Sequence, residues 1–247
     1  MSADFSRYSR QVVLREVGVA GQQVLRDSSV LVVGLGGLGS IASMYLAGAG
    51  IGRLLLSDRD RVAASNLHRQ ILYTQADLGR AKTAAAVLRL AALNPEVSLE
   101  PHEGRLTPER LAGLVREADV VLVCTDNFPT RFAINEACVN GRRPLVSGAA
   151  IRYEGQLAVF DARRDDGACY ACVFPVDGDS QESCEEAGVL GPVVGVIGSL
   201  QAHLALALLL GQGEASNRLR LWNAHDLRWR ELAIVRDPLC RVCGKKP

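Results

Sequence analysis

The stretch SVLVVGLGGLGS at residues 29–40 decides the fold of this protein. It opens with a short apolar, mostly β-branched run, which predicts a buried strand. Gly34, Gly36 and Gly39 follow, and the Ala- and Leu-rich residues 40–49 predict a helix. A G-x-G-x-x-G loop between a strand and a helix lets the backbone approach a phosphate, and the helix N-terminus supplies N–H donors and positive potential. The stretch therefore indicates a nucleotide-binding β-α-β unit.

The second strand of this unit is predicted at residues 53–56, and Asp58 follows it. At this place in such a unit, a carboxylate accepts hydrogen bonds from a ribose. The glycine loop and Asp58 together point to a nucleotide, but they do not separate NAD from ATP. The alternative is a glycine-rich turn that serves only the close packing of helix on strand.

Strands and helices continue to alternate up to residue 150. Further helices are predicted at residues 80–93, 107–117 and 129–140, and further strands at residues 97–100, 119–124 and 145–148. Thr107 is the expected N-cap of its helix, with Pro108 at the first position. This alternation predicts an α/β fold with a doubly wound, mostly parallel, Rossmann-like sheet.

The regular alternation of strands and helices ends near residue 150. A strand at 156–160 leads into a polar loop at 161–188, a long apolar helix from Gly191, and two late strands at 218–222 and 229–235 that suit antiparallel pairing. The apolar segment 191–210 carries Gln201 and His203, so we interpret it as a buried core helix rather than a membrane span. No linker divides the chain, and we expect a single domain over residues 1–247.

The composition is that of an ordinary soluble globular protein, with 48% hydrophobic residues, 22% charged residues and a net charge of +1. A balanced charge gives no long-range attraction to nucleic acid or to an anionic membrane, so neither is an expected partner. The polar first ten residues show no secretory signal, which predicts a cytoplasmic location.

A polar cluster near the strand ends favours ATP over NAD. The segment 65–70 follows Asp58, Lys82 lies near a helix start, and Asp126 and Asn127 follow a strand. Because residues at the carboxyl ends of parallel strands line the ligand crevice, Arg69 and Lys82 are placed to neutralise a triphosphate. Asp126 is placed to hold Mg²⁺, which prefers carboxylate oxygen. Taken singly, each of these residues is more typical of a solvated surface.

Two C-x-x-C pairs form the second constellation, at Cys169 and Cys172 and at Cys240 and Cys243. Four thiolates suit a tetrahedral Zn²⁺ site, and four protein ligands indicate a structural role. The alternative for either pair alone is a redox C-x-x-C. The total of seven cysteines is odd, which argues against a disulfide framework in a chain without a secretory signal.

Cys184 lies apart from these pairs, in the polar loop. Its neighbours Glu185 and Glu186 would raise the pKa of its thiol, whereas the predicted helix start near Gly191 would act in the opposite direction. The residues therefore leave two interpretations open for Cys184, a nucleophile or an exposed loop cysteine without a chemical role.

Several motifs, in the same order along nearly the whole chain, resemble the ThiF/MoeB/HesA family, the bacterial relatives of the ubiquitin-activating enzyme. They lie at residues 7–11, 34–39, 65–70, 124–127, 147–150 and 187–189, together with the two C-x-x-C pairs. The resemblance implies a homodimer that binds ATP and Mg²⁺ in each subunit and carries structural Zn²⁺. It also implies a nucleotide-binding half (1–150) and a half for carrier binding and zinc (151–247).

The activity implied by the resemblance is adenylation of the C-terminal Gly-Gly carboxylate of a ubiquitin-like sulfur-carrier protein. The carrier would be of the MoaD or ThiS type, in molybdopterin or thiamin biosynthesis, and pyrophosphate would be released. The chain ends shortly after the second C-x-x-C pair, without the rhodanese domain of some relatives. A separate sulfur donor, such as a cysteine desulfurase or a rhodanese, is therefore expected.

The resemblance also assigns roles to single residues. The implied nucleotide and Mg²⁺ contacts are Gly37, Asp58, Ser65, Asn66, Leu67, His68, Arg69, Lys82, Asp126 and Asn127. Arg10 corresponds to an arginine that reaches the ATP site of the partner subunit, and the implied catalytic set is Arg10, Arg69, Lys82, Asp126 and Cys184. The zinc ligands would be Cys169, Cys172, Cys240 and Cys243. His68 departs from the family pattern, which often has Gln there, and a histidine can introduce pH dependence.

Three other functions fit parts of the sequence. One is a related adenylating enzyme that acts on a peptide or a small molecule through the same ATP residues. The second is an NAD-dependent oxidoreductase, and the third is a non-catalytic, zinc-stabilised binding module. A test of ATP against NAD binding separates the second, and an exchange assay separates the third.

Overall fold

The computed structural model describes residues 5–174, 187–212 and 216–244. Within these residues, one eight-stranded sheet is formed by β1 (Ser29–Val33), β2 (Arg53–Asp58), β3 (Ser98–Glu103), β4 (Val120–Val123), β5 (Pro144–Ile151), β6 (Glu154–Asp161), β7 (Arg218–Asn223) and β8 (Arg228–Ala233). The α-helices are α1 (Ser9–Val12), α2 (Gly18–Asp27), α3 (Gly37–Ala49), α4 (Lys82–Leu93), α5 (Pro108–Glu117), α6 (Phe128–Gly141), α7 (Tyr170–Val173) and α8 (Gly191–Leu209).

The strand order across the sheet is β3-β2-β1-β4-β5-β6-β7-β8. The first five strands pair in parallel, whereas β6, β7 and β8 each pair with the preceding strand in antiparallel fashion. The predicted doubly wound sheet with late antiparallel strands is confirmed. The chain reverses its direction of progress across the sheet between β1 and β4, and in open α/β sheets ligands bind outside the carboxyl ends of the strands at such a point.

The central strands are buried on both faces, which explains their unbroken apolar sequences. Val30, Val32 and Leu54 point into one core cluster, which also contains side chains of α3, α4 and α8. Leu31 and Leu55 point into the other cluster, which contains side chains of α5 and α6. Helices on both faces therefore hold the parallel part of the sheet, leaving its carboxyl edge open for a site.

Helix α8 is the one helix in the described ranges that is long and apolar enough to span a membrane by composition, with a mean hydropathy of 1.8 over its candidate window. It packs against α3, β5 and β6. Buried residues recur every three or four positions along it, as a helix facing a sheet requires: Val193, Ile197, Gln201, Ala205 and Leu208. The fully buried Gln201 donates to the carbonyl oxygens of Val123 (3.0 Å) and Val146 (3.3 Å). This packing supports the interpretation as a core helix.

Several element boundaries differ from the sequence prediction: β3 and β5, for example, each end three residues later than predicted. Two further differences have a clear local cause. Helix α3 begins at Gly37 rather than at Ser40, because the last glycines of the loop already form its first turn. Glycine has a low helix propensity, so local sequence does not reveal that start. The predicted loop after β6 contains the four-residue helix α7, which is too short to produce a recognisable pattern. The predicted N-cap is confirmed, since the Thr107 side chain accepts from the Arg110 backbone N–H at 3.3 Å.

Candidate active site

The glycine loop after β1 is a tight turn that only glycines allow. Gly34 has a φ of +92°, and a Cβ there would lie 2.8 Å from the carbonyl oxygen of Cys124. A Cβ on Gly39 would lie 1.8 Å from the carbonyl oxygen of Gly34. Gly36 is the N-cap of α3, and among residues 5–174, 187–212 and 216–244 no side chain caps that helix end. The first backbone N–H groups of α3 are thus left for a ligand.

Asp58, at the end of β2, is tied to the glycine loop. Its Oδ2 accepts from the backbone N–H of Leu35 at 2.6 Å, and its Oδ1 accepts from that of Asp60 at 2.8 Å. Burial raises the pKa of Asp58, while the charge of Lys82 and these two N–H groups act against that rise. Each carboxylate oxygen keeps accepting capacity, so the group can also receive ribose hydroxyls.

Lys82 opens α4 and is only 5% exposed. Its Nζ donates to Oδ2 of Asp60 at 3.0 Å, and the Asp60 side chain is 54% exposed. Asp60 is a site residue that was not predicted from the sequence. The signal that could have found it is the second carboxylate two residues beyond Asp58, at the same carboxyl end of β2.

Arg69 lies in a turn that follows the 3-10 helix Ala64–Asn66. Backbone N–H groups of Arg69 and Gln70 both donate to the carbonyl oxygen of Asn66 at 3.0 Å, which closes the turn. The guanidinium of Arg69 donates to the carbonyl oxygen of Ser65 at 2.9 Å and lies 2.9 Å from Nε2 of His68. These contacts hold the guanidinium of Arg69 close to the turn that follows Ala64–Asn66.

The segment after β4 carries the exposed Asp126. Asn127 is the N-cap of α6, and its Oδ1 accepts from the Thr130 N–H at 3.0 Å. One turn further on, Arg131 is 6% exposed and donates to the carbonyl oxygens of Thr125 (2.5 Å) and Gly148 (2.8 Å). Arg131 was not predicted from the sequence, because it fixes this segment to β5 through contacts between residues that are distant along the chain.

An open cavity of about 1120 Å³ lies at the carboxyl edge of the sheet and brings most of these groups together. The predicted nucleotide-site residues that line it are Gly37, Asp58, Ser65, Asn66, Arg69, Lys82, Asp126 and Asn127. Three predicted site residues are not among the described residues of its wall: Arg10, Leu67 and His68. Leu67 packs against the core, and Arg10 and His68 are exposed. Cys184 lies outside the described residues.

The four cysteines of the two C-x-x-C pairs meet in space, although about 70 residues separate the pairs. Their Sγ atoms all lie within 4.8 Å of one another. The closest separations are 3.3 Å for Cys172 and Cys243, 3.7 Å for Cys169 and Cys240, and 3.9 Å for Cys169 and Cys172. A tetrahedral zinc with Zn–S bonds of about 2.3 Å needs S–S edges of about 3.8 Å. The cluster therefore fits a zinc ion.

The thiols of this cluster differ in acidity. Burial raises the pKa of Cys172 to about 11. Burial acts in the same direction at Cys240, but hydrogen bonds from the backbone N–H groups of Cys243 and Val242 and from the thiols of Cys169 and Cys172 together lower the pKa of that thiol to about 7. Metal binding requires thiolates, so Cys240 loses its proton to become a ligand more readily than Cys172 does.

The ThiF family model matches residues 8–242 of the chain. The chain belongs to the ThiF family. It is 48% identical over 241 residues to the sulfur carrier protein ThiS adenylyltransferase of Escherichia coli K12, covering 98% of this chain and 96% of that protein. It is 46% identical over 240 residues to the molybdopterin-synthase adenylyltransferase of the same organism, covering 97% and 96%. The family resemblance seen in the motifs is thus confirmed.

The fold of this ThiF-family protein also matches a solved structure of E. coli MccB with MccA-N7isoASN. The TM-score is 0.85 at 25% sequence identity, and the match covers 98% of this chain and 76% of the MccB chain. The overall fold of this chain is thus shared with MccB.

Proposed function

We propose that this ThiF-family enzyme uses ATP to adenylate the C-terminal Gly-Gly carboxylate of a ubiquitin-like sulfur-carrier protein, in molybdopterin or thiamin biosynthesis. The observation that carries the proposal is the pair of relatives at 46–48% identity over nearly the full length, both named adenylyltransferases of this class. The cavity supplies the matching chemistry, since it combines the amino end of α3, Asp58 and cationic side chains that include Arg69 and Lys82.

The proposed reaction depends on positioning and charge. Asp58 receives the ribose, the N–H groups of α3 face the phosphates, and Arg69 and Lys82 offset the negative charge of the triphosphate. A carboxylate oxygen of the carrier attacks the α-phosphorus while the bond to the bridging oxygen of pyrophosphate breaks. The carboxylate is already ionised at neutral pH, so no general base is needed.

Two metals belong to this proposal, and the residues fit both. The exposed carboxylate of Asp126 at the cavity wall is the kind of oxygen ligand that Mg²⁺ prefers. Bound there, Mg²⁺ would neutralise charge on the phosphates. The four-cysteine cluster would hold a structural Zn²⁺ that joins α7 to the C-terminal segment.

We further place the enzyme in the cytosol as a homodimer, with residues 1–150 binding nucleotide and 151–247 binding the carrier and zinc. Arg10 would act in the partner's cavity. Its exposure on α1, away from the described wall of its own cavity, supports this role. Cys184 is proposed as the family's loop cysteine, and sulfur would come from a separate cysteine desulfurase or rhodanese.

A second candidate is adenylation of a different carboxylate substrate. The match to MccB favours it, because that protein shares the fold and was solved with MccA-N7isoASN. Its identity of 25% is well below the 46–48% of the carrier-protein adenylyltransferases, so it stands second.

The deciding experiment is ATP–pyrophosphate exchange with purified MoaD-type and ThiS-type carriers. Each carrier is tested complete and with its last glycine removed. We expect exchange with at least one complete carrier and none with its shortened form, which has the wrong terminus. Absence of exchange with every carrier, together with tight binding of NAD, would refute the proposal. Exchange with MccA and with neither carrier would favour the second candidate.

A further inference from the structure

Arg131 is a buried cation at the wall of the cavity, in the first turn of α6. Its guanidinium donates to three neutral acceptors: the carbonyl oxygens of Thr125 (2.5 Å) and Gly148 (2.8 Å) and the hydroxyl of Ser147 (3.4 Å). Within the described part of the chain, no carboxylate pairs with it. A buried charge is costly, so a cation kept here without a counter-charge calls for a specific cause.

The contacts of Arg131 begin where the backbone pairing of β4 with β5 ends. The last paired residues are Val123 on β4 and Ser147 on β5. Thr125 lies two residues beyond that pair and Gly148 one residue beyond it, so the guanidinium joins the two segments after their pairing has stopped. Strand β5 is firmly held here, because its pairing with β6 continues past Gly148. Arg131 thus ties the segment after β4 to a rigid part of the sheet.

The carbonyl that Arg131 holds belongs to the peptide unit just before Asp126. A peptide unit is planar, so the Thr125 carbonyl, the Asp126 N–H and the Asp126 Cα lie in one plane. On the other side, Asn127 is fixed as the N-cap of α6. The carboxylate of Asp126 has weak support of its own, since Oδ1 accepts a hydrogen bond of 3.4 Å from Nδ2 of Asn127. The position of this carboxylate therefore depends on the backbone, and one of its two fixed points is the bond to Arg131.

We propose that Arg131 is a positioning residue, which anchors the Thr125 carbonyl and thereby holds the Asp126 carboxylate where a magnesium ion on the nucleotide phosphates can reach it. This inference rests on the proposed function. A guanidinium suits the task, because its donors form a rigid planar fork that can bind two carbonyl oxygens at once. A lysine offers a single ammonium on a flexible stem. The need for that fork explains why a cation is kept in a buried place without a carboxylate beside it.

The test measures how much Mg²⁺ strengthens ATP binding. Calorimetry gives the Kd of ATP with and without Mg²⁺, and the ratio of the two values is the gain due to the metal. For Arg131→Met we expect this gain to fall about tenfold, because the carboxylate is no longer held in place. Binding of AMP without metal should change by less than about twofold, since it does not use Asp126. Arg131→Lys, which keeps the charge and one donor group, should lose less of the gain and provides a second variant if Arg131→Met does not fold.

Arg89→Met is the matched control. Arg89 donates to the buried carboxylate of Asp77 at 2.8 Å, and neither residue is among the described residues of the cavity wall. Its replacement leaves that carboxylate without its cation, so the melting temperature should fall while the full gain due to Mg²⁺ is kept. An equal loss of the gain in Arg89→Met would overturn the inference, because general destabilisation would then explain the result.

A double substitution tests whether Arg131 acts through Asp126. Asp126→Ala alone should lose the gain due to Mg²⁺, and adding Arg131→Met should cause no further loss of it. A further loss would overturn the inference, as would an unchanged gain in the Arg131 variants. Failure of the wild-type protein to bind ATP, or ATP binding that does not respond to Mg²⁺, would instead contradict the proposed function.

Discussion

The charged side chains of the cavity differ in how firmly the fold depends on them. Lys82 is buried and paired with Asp60, so its removal would affect packing as well as the proposed nucleotide binding. Asp126 is exposed, and its Oδ1 accepts a long hydrogen bond of 3.4 Å from Nδ2 of Asn127. Arg69 bonds mainly to its own turn. Asp126 and Arg69 can therefore be changed with little effect on the fold.

Replacement of either Asp126 or Arg69 by alanine should reduce ATP–pyrophosphate exchange by about 100-fold or more, because charge stabilisation at the phosphates is lost. The melting temperature should stay within about 2 °C of the wild type, since Asp126 is exposed, Arg69 is only partly buried, and such side chains contribute little to stability. Arg116→Ala, which removes an exposed cation from the last turn of α5, serves as the control and should keep full exchange. A fully active Asp126→Ala protein would refute the role proposed for that carboxylate.

At the scale of elements, the cysteine cluster joins α7 to the C-terminal segment. Cys169 and Cys172 lie at the start of and within α7, and Cys240 and Cys243 lie beyond β8. A zinc ion held by all four would close a loop of about 70 residues, which restricts the unfolded chain and stabilises the folded one. The metal is thus expected to support the end of the sheet rather than the reaction.

Cys172→Ser should lose zinc and lower the melting temperature by several degrees, roughly as expected for the loss of a few kcal/mol. Metal content is measured by atomic emission and stability by calorimetry. The matched control is Cys138→Ala, a buried cysteine outside the cluster, which should keep its zinc. One zinc per chain in Cys172→Ser would show that the cluster is not the binding site.

The sequence predicts elements best where the pattern repeats. The apolar run 29–33 matches β1 at both ends, and Thr107 marks the start of α5 correctly. The sequence predicts an element poorly where the local pattern is weak and contacts elsewhere in the fold determine the structure. The start of α3 consists of glycines with low helix propensity, and α7 is a single turn.

The same limit applies to the cavity. A linear motif reveals Gly37, Asp58 and Arg69, because their spacing from a strand end is fixed by the β-α-β unit. Arg131 becomes visible only in the fold, where its burial and its hydrogen bonds to the carbonyl oxygens of Thr125 and Gly148 distinguish it from an ordinary surface arginine.

At the scale of the whole molecule, the position of Arg10 leads to a test of the proposed dimer. If Arg10 serves the partner's cavity, then Arg10→Ala and Asp126→Ala damage different parts of the same shared site. An equal mixture of the two inactive proteins, refolded or exchanged into mixed dimers, should regain about a quarter of the wild-type exchange activity, because half of the dimers would carry one intact site.

The control for this mixing experiment is Asp126→Ala combined with Arg69→Ala. Both of these changes fall in the wall of one cavity. Each mixed dimer then has a defect in both of its sites, so no activity should return. Recovery in this control, or no recovery with Arg10→Ala, would contradict action of Arg10 across a subunit interface.

The contact between Lys82 and Asp60 has one more consequence, for the order in which ligands arrive. While the two are together, each cancels the other's charge at the cavity wall. If a polyphosphate without a metal ion attracts the ammonium group of Lys82, the Asp60 carboxylate loses its counter-ion. That carboxylate then lies close to the negative phosphates, which is unfavourable. A polyphosphate that arrives with a bound divalent cation avoids this repulsion, because the cation can replace Lys82 as the counter-ion of the Asp60 carboxylate. Under the proposed reaction, the ligand-free protein should therefore bind metal-bound nucleotide in preference to metal-free nucleotide.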